Sequence, residues 1–308
     1  MPTSTANRDP YFAPILCVTG KGGVGKSTIA AAIATKLASE SKRVLLVEIG
    51  EESYFQKAIN KKITYSPTMV SENLYISHWR WMDCLKEYVG HFTKVEALTN
   101  LFFDNPVMRS IVRVAPGIPD ISILGKLTSG IRRVGPKFEW DHVILDSHST
   151  GHTLSMLRSP RGLYESIGVG PLGEHSKEIY KTMKNNDLCQ FLTVCLPEEL
   201  PVVETIEFCE QLKSEFEIQT SLIVNKVYPD FGLAYDELSG VSIGRNTEDN
   251  VEQKFLNKAK SIYERQNLGL SKLSAHSEYK KVYFTKTNSD LDSERLNWYR
   301  KISEDIFD

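Results

Sequence analysis

The run Gly20-Lys21-Gly22-Gly23-Val24-Gly25-Lys26-Ser27, followed by Thr28, constrains this chain more than any other segment. It matches the pattern G-x-x-x-x-G-K-[ST]. Glycines let a backbone curl until successive N–H groups point inward at an anion. A helix that starts at the end of such a loop adds the positive end of its dipole. Lys26 brings a full charge to the β and γ phosphates, and the Ser27 hydroxyl can ligate Mg²⁺. The flanks agree. Ile15–Thr19 is a short apolar run that predicts a buried strand before the loop. Ser27–Glu40 has small residues and leucine but no Gly or Pro, and predicts a helix after it. Arg43–Glu48 predicts a second buried strand, so the order is strand, loop, helix, strand, and the sheet is expected to be parallel. Gly20, Gly22, Gly23, Val24, Gly25, Lys26, Ser27 and Thr28 are therefore the expected cradle for ATP with Mg²⁺.

Further strands are predicted at His142–Asp146, Gln190–Leu196 and Ser221–Asn225, with Asn73–Trp79 a candidate for one more. A helix over Pro201–Glu215 lies between two of them, its proline near the first turn where it is tolerated. Phe231–Asn250 reads as a surface loop, Val251–Gln266 as an amphipathic helix and Leu291–Phe307 as a closing helix. From Glu51 to Trp140 the chain is otherwise mostly helical, with Trp79, Trp81, Met82, Tyr88, Phe92, Phe102, Phe103 and Met108 as apolar positions. These either fill a core or line an apolar client groove. The expected fold is α/β, a doubly wound, mostly parallel sheet with a helical insertion at residues 51–140 inside one domain spanning 1–308.

Composition narrows the partners. Hydrophobic residues at 41% supply a core, and 37 basic against 39 acidic residues leave a net charge of −2. General nucleic-acid binding needs a basic surface and is not expected; the nearest patch is Arg132–Arg133. Cys17, Cys84, Cys189, Cys195 and Cys209 form no C-x-x-C pair and no zinc spacing, which predicts reduced thiols and a cytoplasmic setting. Residues 1–14 have no apolar signal core, and no run is long enough for an integral membrane span.

Lys21 makes the loop K-G-G-V-G-K-S-T, which resembles the deviant phosphate-binding loops of the cell-division ATPase MinD, the partition ATPases, nitrogenase iron protein and the arsenical-pump ATPases. Asp146 ends a predicted strand and opens Asp146-Ser147-His148-Ser149-Thr150-Gly151-His152-Thr153-Leu154. The D-x-x-x-T-G-H-T-L string is similar to the second switch of the arsenical-pump ATPases and of the eukaryotic ATPase that targets tail-anchored membrane proteins. Leu196-Pro197-Glu198-Glu199 with Pro201 and Glu204-Thr205, Val224-Asn225-Lys226, Ala115-Pro116-Gly117, Leu124-Gly125-Lys126 and Val169-Gly170-Pro171 extend the likeness, which fits the shorter bacterial branch from about Ile15 to Tyr228. The resemblance implies a dimer, either a homodimer or a paralogous heterodimer, in which Lys21 reaches the partner's nucleotide. It further implies Asp146 on Mg²⁺, Asn225 on the adenine edge, Gly151 sensing the γ-phosphate, and a protein client or membrane partner. His148 and His152, four apart, suggest a metal site only weakly, because no third ligand is evident.

Two departures matter. The family places an acid two positions after Glu48 to orient the attacking water; here that position is Gly50, and Glu51 or Glu52 is the candidate substitute. The cysteine pairs that hold zinc or arsenite in relatives are absent, so neither property carries over. Three readings stay open: an ATPase coupled to a client, a dimerising module that hydrolyses little, and a spatial organiser of the MinD or partition kind. Acids Glu304, Asp305 and Asp308 in the last helix oppose an anionic membrane and weigh against the MinD version.

Overall fold

The computed structural model describes residues 12–93, 117–135, 139–167, 170–228, 249–276, 279, 282–286 and 295–307. Among these residues, eight strands form one sheet: β1 Ile15–Gly20, β2 Val44–Ile49, β3 Thr68–Ser71, β4 Leu74–Trp79, β5 His142–Asp146, β6 Cys189–Cys195, β7 Ser221–Val227 and β8 Val282–Lys286. Their order is β3-β4-β2-β5-β1-β6-β7-β8. Every neighbouring pair is parallel except the β3–β4 hairpin at one edge. The α/β doubly wound, mostly parallel fold read from the sequence is therefore the one observed.

β1, β2 and β5 are buried along their whole length, because helices cover both faces of the sheet. Leu16, Val18, Val44, Leu46 and Ile144 point to one face; Ile15, Cys17, Leu45, Val47, Val143 and Leu145 point to the other. The first face is covered by α1 (Lys26–Ser39) and the last helix, α9 (Arg295–Phe307). Ala30, Ala31, Ala32 and Ala34 let α1 sit close to the strands, while Tyr299, Ile302 and Ile306 of α9 join the same core. The second face carries α4 (Ile118–Arg132), α5 (Thr150–Ile167), α6 (Pro171–Lys184) and α7 (Glu199–Phe216). Their Leu124, Leu157, Ile179 and Leu212 fill that core.

In the stretch 51–140 the described residues form a short helix α2 (Tyr54–Ala58), the β3–β4 hairpin, α3 (Trp81–Thr93) and α4. Trp79 is fully buried on β4 and belongs to the core. Tyr88 of α3 meets the His175 ring edge-on, centroids 6.0 Å apart. The side chains of Phe92, Phe102, Phe103 and Met108 lie outside the described residues, as do Ala115, Pro116, Val169 and positions 231–248.

Strand and helix ends shift by a residue or two from the sequence reading, one helix is much longer, and two strands are new. The helix expected over Val251–Gln266 is α8, and it runs from Asp249 to Ser274. The last helix begins at Arg295 among the described residues. The strands not foreseen are β3 and β8. In β8 the usual pattern is inverted: Phe284 is half exposed while Thr285 is 1% exposed. A pattern search that looks for apolar residues inward passes over such a strand.

Candidate nucleotide site

β1 delivers the loop to the carboxyl end of the sheet, next to the end of β5. This is where the chain turns from strands on one side to strands on the other, the place where open α/β sheets bind ligands. A Cβ on Gly20 would stand 2.2 Å from the Val194 carbonyl oxygen, so only glycine lets β1 leave β6 this closely. Gly25, with φ +99°, is the N-cap of α1, and no side chain caps the helix. The first-turn N–H groups of α1 are thus left for an anion, reinforced by the helix dipole. The first turn also contains no acid to compete.

Lys26 folds back, and its Nζ donates to the Lys21 carbonyl at 3.1 Å. Burial lowers the Lys26 pKa, and the Asp146 carboxylate opposes that. Lys21 is half-buried, and its Nζ donates to Glu204 Oε1 of α7 at 2.5 Å within the same chain. Thr28 and Ser27 are half-buried in the first turn, while Gly22 and Gly23 are exposed.

Asp146 is 8% exposed, and its Oδ1 has no hydrogen-bond partner. Burial raises its carboxyl to about 7, with Glu48 adding to the rise and the Ser27 hydrogen bond and Lys26 opposing it. A hard cation that takes oxygen ligands suits this set: a serine hydroxyl, a carboxylate with an unpaired oxygen, and an open approach along the loop. The residues fit Mg²⁺.

Glu48 stands level with Asp146 on the adjoining strand. It is 4% exposed, accepts from the Ser53 hydroxyl at 2.5 Å and from the Tyr54 backbone N–H, and so ties the turn after β2 to the strand end. Glu51 is exposed, and Glu52 is exposed and paired with Lys57 at 2.8 Å. Gly50 has a positive φ, and a Cβ there would meet nothing. The structure therefore draws in Glu48, which the sequence reading used only as a landmark, and leaves Glu51 in solvent.

The segment after Asp146 is anchored to β1. Ser147 N donates to the Val18 carbonyl at 2.9 Å, and the Thr19 hydroxyl donates to the His148 carbonyl at 3.0 Å. Thr19 and Thr153 share a hydrogen bond of 2.9 Å, and Ser147 reaches Thr153 at 3.2 Å. Gly151 lies exposed in the first turn of α5, with space where a side chain would be. His148 and His152 stack edge-on at 4.1 Å, and His152 Nε2 lies 3.9 Å from Asp120 Oδ1 of α4. Burial, then His152, lowers His148 to about 4 against the pull of Asp120. No group of three metal-ligating side chains occurs among the described residues.

Asn225, at the end of β7, is 7% exposed. Its Nδ2 donates to the Val24 carbonyl at 2.7 Å, and its Oδ1 accepts from the Thr285 hydroxyl at 2.6 Å. The carboxamide therefore serves the loop backbone in this state, and one Nδ2 hydrogen is left for another acceptor. Sequence reasoning missed Glu204 and Thr285 as members of the site. Each is separated from its partner by many residues, so no local spacing announces it.

The family model described as anion-transporting ATPase matches residues 13–169 and 171–278. An Aquifex aeolicus protein named as an arsenical pump-driving ATPase is 28% identical over 272 residues, covering 79% of this chain and 87% of the relative. The ATPase ASNA1 homolog of Plasmodium vivax is 24% identical, covering 85% and 77%. The ATPase BagA of Mycobacterium tuberculosis is 29% identical, covering 78% and 72%.

Proposed function

This chain belongs to the anion-transporting ATPase family, and from that premise we propose that it is a Mg-ATP-dependent dimeric switch of the arsenical-pump and membrane-protein-targeting type. The observation that carries the reading is Asp146 Oδ1, a buried carboxylate oxygen without a partner beside a phosphate-binding loop whose helix has no cap. Ser27 and Asp146 would hold Mg²⁺, which would supply charge neutralisation at the phosphates. Lys26 leaves the Lys21 carbonyl for the phosphates, the α1 N–H groups cradle them, and the free Nδ2 hydrogen of Asn225 is available to the adenine edge. Lys21 leaves Glu204 and serves the nucleotide of the other subunit, identical or paralogous. Gly151, in the first turn after Asp146, moves with the γ-phosphate. The mostly helical stretch 51–140, an insertion within a single domain, passes the change to a protein client or membrane partner. No helix among the described residues is long and apolar enough to cross a membrane, which suits a cytoplasmic factor that meets membranes through a partner.

The test is steady-state phosphate release with Mg-ATP, with Lys26→Ala as the blank. Turnover above the blank supports the reading. A second reading, an ATP-gated dimer that hydrolyses little, is favoured by Gly50 and by the solvent-exposed Glu51. It expects ATP binding without release of phosphate. Equal binding by wild type and Lys26→Ala sinks both readings.

A further inference from the structure

β7 carries one more residue than β8 between the pairs Val224↔Phe284 and Val227↔Lys286. The extra residue makes a bulge at Asn225–Lys226, and Lys226 has φ +58°. Bulges re-aim side chains and are a recurrent device beside functional sites. Here Thr285 faces the bulge. Its Oγ1 accepts the Lys226 backbone N–H at 3.2 Å, where the β7–β8 register shifts. Its hydroxyl proton goes to Asn225 Oδ1 at 2.6 Å. The Val24 carbonyl can only accept, so it takes the Nδ2 group, at 2.7 Å, and decides which way the carboxamide faces. Thr285 holds the other end of the carboxamide in place.

The consequence lies in the loop. In a trans peptide the C=O and the following N–H point in opposite directions. Holding the Val24 carbonyl against Asn225 therefore turns the Gly25 N–H away from Asn225. Gly25 is required at this approach, since a Cβ would lie 2.4 Å from Asn225 Nδ2. We propose that Thr285 is a positioning residue for nucleotide binding: through Asn225 it fixes the Val24–Gly25 peptide so that the Gly25 N–H faces the phosphates. The proposal rests on the phosphate-loop reading above. It makes β8, a strand 60 residues from Asn225 in sequence, part of the nucleotide site.

The experiment compares wild type, Thr285→Val, Thr285→Ser and Lys26→Ala in equilibrium binding of Mg-ATP and of inorganic tripolyphosphate. Thermal unfolding without ligand is followed alongside. Thr285→Val is expected to weaken both ligands by about 5–30-fold, the size of losing one buried hydrogen bond and leaving its partner unsatisfied. Thr285→Ser, which keeps the hydroxyl, restores both. If Thr285→Val does not fold, Thr285→Ala, which only deletes atoms, carries the same expectation. A Thr285→Val protein that binds both ligands like wild type overturns the proposal and leaves the phosphate-loop reading intact. Loss of ATP but not of tripolyphosphate also overturns it, because Asn225 then acts on the base alone. A wild type that binds no better than Lys26→Ala overturns the underlying reading as well.

Discussion

Glu48 and Asp146 sit side by side at the ends of β2 and β5, yet they meet different neighbours. Glu48 has both oxygens engaged by the Ser53 hydroxyl and the Tyr54 N–H, whereas Asp146 keeps one oxygen unpaired. The first holds a turn, and the second is the proposed Mg²⁺ ligand. Glu48→Ala strips two donors of their acceptor in a buried setting, and is expected to cost about 1–3 kcal/mol of stability in urea unfolding. Asp146→Asn keeps the shape but loses the charge. It is expected to weaken Mg²⁺-dependent ATP binding at least tenfold while leaving the unfolding midpoint near or above that of wild type, since burial already disfavours the ionised form. A midpoint that collapses in Asp146→Asn would instead make the residue structural. The strand end and its acid were legible in the sequence because an apolar run terminates there. That Glu48 lies beside it was not, because strand register is set by the whole sheet.

At the scale of elements, α3 and α4 are joined by Lys126, Glu87 and Tyr65. Lys126 Nζ donates to Glu87 Oε2 and to the Tyr65 hydroxyl, the latter at 2.8 Å, and lies 4.1 Å from the Tyr65 ring centroid. Lys126 is 12% exposed and Glu87 33%. Lys126→Met alone leaves a carboxylate half in the interior and is expected to cost about 2–3 kcal/mol. That is less than the loss for a fully buried pair, because water reaches Glu87. The double variant Lys126→Met with Glu87→Leu is expected to recover most of it, measured as a double-mutant cycle. His175 of α6 faces Tyr88 of α3, and burial, then Arg132 of α4, lowers its pKa below 6.5. The folded protein thus prefers neutral His175, while the unfolded chain takes up a proton near 6.5. Its contribution is complete above that value and is lost as pH falls through the lower folded value. Unfolding midpoints at pH 7.5 and 5.5 should differ less in His175→Gln than in wild type.

Over the whole molecule, the proposed dimer would have to take Lys21 from a contact within its own chain. Its ammonium is held by Glu204 in the same chain, at a site where both groups still see water. Such pairs are worth only about 0.2–1 kcal/mol, so the lysine is retained but easily released. Lys21→Ala is expected to abolish ATP-dependent association of two copies in sedimentation while each copy still binds ATP. Glu204→Gln is expected to favour association up to about fivefold. Unchanged sedimentation in both would remove Lys21 from the interface. The sequence by itself determined the glycine-rich loop, the helix behind it, the continuous apolar strands and the acid that ends β5, because each is written in consecutive residues with a local physical meaning. Glycine freedom, apolar runs and helix-forming composition need no knowledge of distant partners. Only the tertiary structure decided that Thr285 bonds Asn225, that Glu204 holds Lys21, and that β8 is a strand at all. Those contacts join residues 60 and 183 positions apart, and they exist only once packing and strand register bring the elements together.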